Sequence, residues 1–198
     1  MEELTLYILH TSIVKDNYSS LLSMVDKNRI EKANRFVNEN DQLLSLGGGY
    51  LLTKYLPHLE MKYNENGKPY LANGPYFNLS HSKDYVVLAI SHSREVGVDI
   101  EYIDENKVKA IKYSLSEEEK DISDINTLFQ IWSNKESLIK CLGSSISDIK
   151  KIKGLPLEGV REGRYSKSMI YDGYSLSITL NGQEPFSIKI KEIKSLCD

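Results

Sequence analysis

Residues 126–142 constrain the fold of this chain more than any other stretch. Phe129, Trp132, Glu136 and Lys140 recur there at the three- and four-residue spacing of one helix face, and Gly143 stands where a left-handed terminator belongs. Trp132 is expected to point inward, and Glu136 shares its face of the helix. The flanking segments supply strands for it. Residues 85–90 form a nearly continuous apolar run, and 96–102 alternate, with Asp99 and Glu101 on one face.

Other segments complete the pattern. Residues 4–9 read as a first strand, 18–37 as a helix, and 41–55 as a helix interrupted by Gly47, Gly48 and Gly49, which either break it or permit a close approach. Residues 64–69 and 72–75 have turn chemistry, and 91–95 would join strands 85–90 and 96–102 as a hairpin. Ser116 with Glu119 makes a capping box, which predicts a new helix beginning near Ser116. Strands 174–180 and 186–191 alternate cleanly, which predicts that each is half buried on an antiparallel sheet. The expected fold class is α+β, with two similar halves at 1–100 and 101–198.

Composition removes several classes of function. The 25 Lys and Arg against 28 Asp and Glu give a net charge of -3, so no basic field exists for long nucleic acid. Cys141 and Cys197 are far apart and form no CxxC, which argues against a disulfide framework or a thiolate zinc site. Acids at Glu2 and Glu3 do not suit a signal peptide, and no apolar stretch is long enough for a membrane span. A cytoplasmic protein without membrane attachment is expected. P-loop and Rossmann motifs are absent.

The chemistry rests on Asp99, Glu101, Glu136 and Lys140. Three carboxylates and a lysine brought together suit a hard divalent cation and a phosphate oxygen. Read without context, the same residues are a solvated strand end and an i, i+4 ion pair. Ser80 and His81 are neighbours in the stretch 77–82. Adjacent extended residues point opposite ways, so they make a poor serine–base pair and better phosphate ligands on a loop. His92, in a second Ser-His-Ser triplet, reads as solvated. Lys68, Arg29 and Lys32 read individually as surface cations, and Lys150, Lys151 and Lys153 as a basic cluster able to meet an acidic partner. Cys141 reads as packed.

Gly67-Lys68-Pro69, Phe77-Asn78-Leu79-Ser80-His81-Ser82, Gly97-Val98-Asp99-Ile100-Glu101 and Trp132-x-x-Lys135-Glu136-Ser137-x-x-Lys140 occur in that order. With these four motifs the chain resembles the 4′-phosphopantetheinyl transferase family, in its larger, surfactin-synthetase-activating type. A looser similarity reaches back over 29–36. The resemblance implies a pseudo-dimer of two α+β halves with coenzyme A in the cleft between them. It implies Mg²⁺-dependent transfer of phosphopantetheine to a serine of an apo carrier protein (acyl, peptidyl or polyketide), with release of adenosine 3′,5′-bisphosphate. By the same resemblance Asp99, Glu101 and Glu136 ligate Mg²⁺, and Lys140 contacts the pyrophosphate. Ser80 and His81 contact phosphates, Lys68 and Pro69 lie near the nucleotide, and Arg29 and Lys32 hold the 3′-phosphate. Glu136, or water that it orients, is the expected base. A phosphate-binding arginine of relatives is missing at 42–45, so either Lys54 or another base compensates or the 3′-phosphate is held less tightly. A monomer is the default. The alternatives are a non-catalytic coenzyme A or carrier binder and a Mg²⁺-dependent phosphohydrolase.

Overall fold

The computed structural model describes residues 2–57, 60–145, 149, 152 and 156–196. The first half runs β1 (Glu2–His10), α1 (Thr11–Asp16), α2 (Tyr18–Met24), α3 (Lys27–Ala33) and the long α4 (Glu39–Tyr55). A small hairpin follows, β2 (Met61–Tyr63) with β3 (Pro69–Leu71), and then β4 (Tyr76–Ser82) and β5 (Tyr85–Ser91). The second half runs β6 (Val96–Tyr102), α5 (Val108–Ser114), the long α6 (Ile125–Leu142), β7 (Glu158–Arg161), β8 (Arg164–Tyr171), β9 (Tyr174–Asn181) and β10 (Phe186–Ile193).

The two halves repeat one topology. β1 lies antiparallel to β5, which lies antiparallel to β4. In the same way β6 lies antiparallel to β9, which lies antiparallel to β8. The sheets have the orders β10-β1-β5-β4 and β6-β9-β8-β7. Leu4, Leu6, Ile8, Val87 and Ala89 of the first sheet pack against Val98, Ile100, Leu176 and Ile178 of the second, forming a dry core between them. The other face of the first sheet, with Leu9, Val86 and Leu88, is covered by Leu46, Tyr50 and Leu51 of α4. The α+β architecture of two similar halves is therefore present.

Two tyrosines latch the halves together. Tyr85 Oη donates to Asp172 Oδ2 at 2.8 Å, and Tyr174 Oη donates to Asp84 Oδ2 at 3.2 Å. Each aspartate sits in the hairpin turn of the opposite half.

Several expectations change. The helix expected over 18–37 is two helices, because Val25 is extended and buried while Asp26 accepts the Arg29 amide at 2.9 Å and caps α3. α4 is unbroken through Gly47, Gly48 and Gly49. A Cβ at Gly47 would crowd Val14, Leu9 and Val86 at 3.2–3.3 Å, and one at Gly49 would overlap the Arg29 stem. The glycines therefore serve close approach. Strands β5 and β6 do not pair as a hairpin. The link at 92–95 carries the chain from one sheet to the other, with His92 exposed. β9 is buried on both faces, because α6 covers its hydroxyl face. β10 runs parallel to β1 and closes the edge of the first sheet. Sheet membership thus crosses residue 100 twice, at β6 and at β10. Ser80 and His81 lie on strand β4, not on a loop. The cluster Lys150, Lys151 and Lys153 lies outside the described residues, as does Cys197.

Candidate active site

The site grows from the seam between the sheets. β4 and β6 do not exchange backbone bonds. Instead the alternate residues Asn78, Ser80 and Ser82 of β4 reach across to the free edge of β6. Asn78 Oδ1 accepts the Val98 amide at 2.9 Å, Ser80 Oγ the Ile100 amide at 3.4 Å, and Ser82 Oγ the Tyr102 amide at 3.0 Å. An edge strand that would otherwise leave buried donors unpaired is satisfied by side chains. The same two serines donate to the carboxylates that alternate with those amides, Ser80 Oγ to Asp99 Oδ1 at 3.0 Å and Ser82 Oγ to Glu101 Oε2 at 3.1 Å.

Helix α6 lies over this face. Lys140 Nζ donates to Asp99 Oδ1 at 2.6 Å and Ser80 Oγ at 2.9 Å, and lies 3.9 Å from Glu136 Oε2. The approach depends on Gly97. A Cβ there would overlap the backbone carbonyl of Ser137 and the amide of Cys141, which cannot rotate away. Gly97→Ala is expected to cost about 3 kcal/mol, the upper end of typical overpacking penalties. That corresponds to a drop in melting temperature on the order of 10 °C; a wild-type melting curve would show that α6 can lift without cost.

Electrostatics mark the cluster as a place for added positive charge. Burial raises the Glu136 pKa, the Asp99 carboxylate raises it further against the opposing pull of Lys140, and it stands at about 8. Glu101 is raised by burial and by Asp99. Burial lowers Lys140, but Asp99 and Glu136 outweigh this and hold it above its ordinary value. Asp99 Oδ2 is buried without a hydrogen-bond partner. The carboxylates do not converge as they stand: among the described residues no three His, Cys, Asp or Glu side chains are gathered tightly enough to hold an ion. Glu101 is turned toward Ser82 and toward Lys107 Nζ at 3.3 Å. That half-exposed pair is weak enough to exchange. The orphaned oxygen, the raised acids and the hard oxygen donors fit a divalent cation held by Asp99 and Glu136, with Glu101 joining from beside them.

His81 leaves β4 on the side opposite Ser80 and is exposed, so the two make no nucleophile–base pair. Partial desolvation and the nearby Lys140 charge lower the His81 pKa. Lys68 and Pro69 line a cavity of about 160 Å³ with Tyr70, Phe77, Leu142 and Gly143. Lys68 Nζ donates to the Cys141 carbonyl at 2.9 Å, at the negative end of α6, and burial lowers its pKa. Arg29 and Lys32 line a second cavity of about 460 Å³ with Gly49, Thr53, Met61 and Tyr63. The hairpin β2–β3 contributes to both cavities. Lys54 Nζ donates to Tyr50 Oη at 2.9 Å and to the Leu196 carbonyl at 3.2 Å. Leu43 and Leu44 are core. Cys141 is buried, and desolvation pushes its thiol to about 11.

Sequence reasoning placed Lys135 in a motif but gave it no role. It is fully buried and ion-paired with Glu119, which also accepts the Ser116 amide. A lysine on the inward side of an amphipathic helix, one residue from an expected ligand, was the available signal.

Family models match nearly the whole chain. The description "4'-phosphopantetheinyl transferase, N-terminal" covers residues 12–93, and "4'-phosphopantetheinyl transferase superfamily" covers 95–191. The chain belongs to the 4′-phosphopantetheinyl transferase superfamily. The boundary between the two matches falls in the link that joins the two sheets. Among curated superfamily members, 4′-phosphopantetheinyl transferase gsp of Aneurinibacillus migulanus is 34% identical over 144 residues, covering 65% of this chain and 60% of that protein. A 4′-phosphopantetheinyl transferase of Bacillus subtilis is 29% identical over 189 residues, 85% of this chain and 77% of that protein. The AcpT enzyme of Salmonella typhimurium is 35% identical over 119 residues, 54% and 62% of the two chains. The matched region spans about 60% of the length of the gsp and AcpT relatives. No helix among the described residues is long and apolar enough to cross a membrane.

Proposed function

We propose that this chain transfers the 4′-phosphopantetheine group of coenzyme A to a serine of an apo carrier protein, releasing adenosine 3′,5′-bisphosphate, in the cytoplasm and as a monomer. In this reading the halves divided near residue 100 act together. The observation that carries it is the meeting of Asp99, Glu136 and Lys140 at the seam between the halves.

Asp99, Glu136 and Glu101 would hold Mg²⁺, which supplies neutralisation of charge on the pyrophosphate. Lys140 presents its ammonium to the same phosphate region, partly exposed and held charged by its acidic neighbours. Glu136, or water that it orients, would accept the serine proton on oxygen. Ser80 orients Lys140 and Asp99 beside the phosphates, and His81 would offer a ring N–H to a phosphate oxygen. Arg29 and Lys32 offer their cations to the 3′-phosphate, with Lys68 and Pro69 beside the nucleotide. Most of the catalysis would be alignment and charge neutralisation.

The test is intact-mass spectrometry of apo acyl, peptidyl and polyketide carriers after incubation with the protein, coenzyme A and Mg²⁺. A gain of one phosphopantetheine, abolished by EDTA, is expected. No gain on any carrier class would end this reading, and adenosine bisphosphate released without a carrier would favour a phosphohydrolase. Asp99→Ala is expected to move the Mg²⁺ titration to higher concentration and to reduce turnover with it. An unchanged titration would make Asp99 structural.

A further inference from the structure

The face of α6 that lies on the sheet is polar. Ser133 and Ser137, one turn apart, are fully buried there, and so are Ser175, Ser177 and Thr179 of β9 beneath them. Ser133 Oγ lies 2.6 Å from Ser175 Oγ and 2.7 Å from Ser177 Oγ, and Ser137 Oγ lies 2.7 Å from Thr179 Oγ1. The network continues into β8, with Ser177 donating to Ser168 at 2.8 Å and Asn134 Nδ2 to the same oxygen at 2.6 Å. These hydroxyls stand in the same cross-strand rows as the site. Ser177 is opposite Asp99, Ser175 opposite Glu101, and Thr179 opposite Gly97.

We infer that Ser133, Ser137, Ser175, Ser177 and Thr179 form a hydroxyl zipper that fixes the axial position of α6, which makes them positioning residues for Glu136 and Lys140. Apolar contacts hold a helix on a sheet without specifying its height. Hydrogen bonds do specify it, because they fail within a few tenths of an ångström and α6 rises about 1.5 Å per residue. A functional constellation tolerates about 0.5 Å of misplacement. Stability does not account for the network. Asn134 Oδ1 is buried within it and unpartnered, and apolar residues of like shape on both sides would be about as stable. The inference rests on the transferase reading for its consequence and on the packing alone for its geometry.

The test is Ser133→Ala/Ser175→Ala/Ser177→Ala, which removes both sides of the Ser133 bonds. Trp132, the single tryptophan, sits on α6 and reports the helix without metal or substrate. The variant is expected to fold, to show greater acrylamide quenching of Trp132, and to lose about tenfold or more in kcat per folded molecule. KM for coenzyme A should be unchanged. Wild-type quenching together with wild-type kcat would overturn the inference. Should the triple variant not fold, Ser133→Ala, which deletes both bonds from this residue to β9, is read in the same assays with the same overturning result. If the wild-type protein modifies no carrier, the transferase reading fails, and the Trp132 measurement still decides whether the zipper holds α6.

Discussion

Glu136→Gln should fold as the wild type does and transfer phosphopantetheine at about one hundredth of its rate or less, the usual range for loss of a general base. The side chain keeps its shape and loses only its ability to ionise, so the fall in rate would report chemistry and not packing. Near-normal turnover would remove Glu136 from the mechanism. The same variant makes an opposite prediction for stability without metal. The folded-state pKa of Glu136 is raised to about 8, mainly by burial and then by Asp99. A raised pKa means that stability is fully present below the ordinary carboxylate value and is lost as pH rises through the folded one. Wild-type protein in EDTA should therefore weaken between about pH 4.5 and pH 8, and Glu136→Gln should not. Thermal melts across that window would show the variant gaining on the wild type. A constant difference would mean that Glu136 is not strained by its neighbours.

Lys135→Met should be the most destabilising of the conservative changes, by about 3–5 kcal/mol, because it leaves the Glu119 carboxylate buried without its counter-charge. Burial raises Glu119, but the bonds from Lys135 and from the Ser116 amide outweigh it and hold its pKa below the usual value. Burial pulls the Lys135 ammonium down. The expected drop in melting temperature is about 10 °C. Glu119→Gln/Lys135→Met should recover part of it, since the glutamine can still cap Ser116 and no charge remains buried. A double variant as unstable as the single one would show that the lysine stem, and not the charge, supports α6.

The elements most legible in the sequence were those set by local periodicity and capping. The helix ending at Gly143 closes there because Gly143 takes φ 66, and the capping box at Ser116 and Glu119 is present, though it opens only a 3₁₀ turn over 117–119 and not the helix expected there. Errors arose where a tertiary partner competed. Asp26 ends one helix and starts another, which a smooth apolar period conceals. The alternation of β9 looks like a strand with one wet face, yet serines on α6 dry that face. β10 pairs with β1 from the far end of the chain, and no local signal carries that pairing.

For the site, the identity of the chemical groups was visible while their arrangement was not. Asp99, Glu101, Glu136 and Lys140 could be named from spacing and resemblance. That Asn78, Ser80 and Ser82 join the two sheets, and that Glu101 turns to Lys107 while Asp99 keeps an unpartnered oxygen, follow from the seam alone. The sequence by itself determined the helices with their caps, the alternation of the strands, and the acids and lysine available for chemistry, because those depend on residues within a few positions of one another. Only the tertiary structure decided which strand edge meets which, how closely α6 approaches β6 over Gly97, and which buried charges find partners. Those outcomes depend on the desolvation and directional bonding of residues far apart in the chain, which no local pattern encodes.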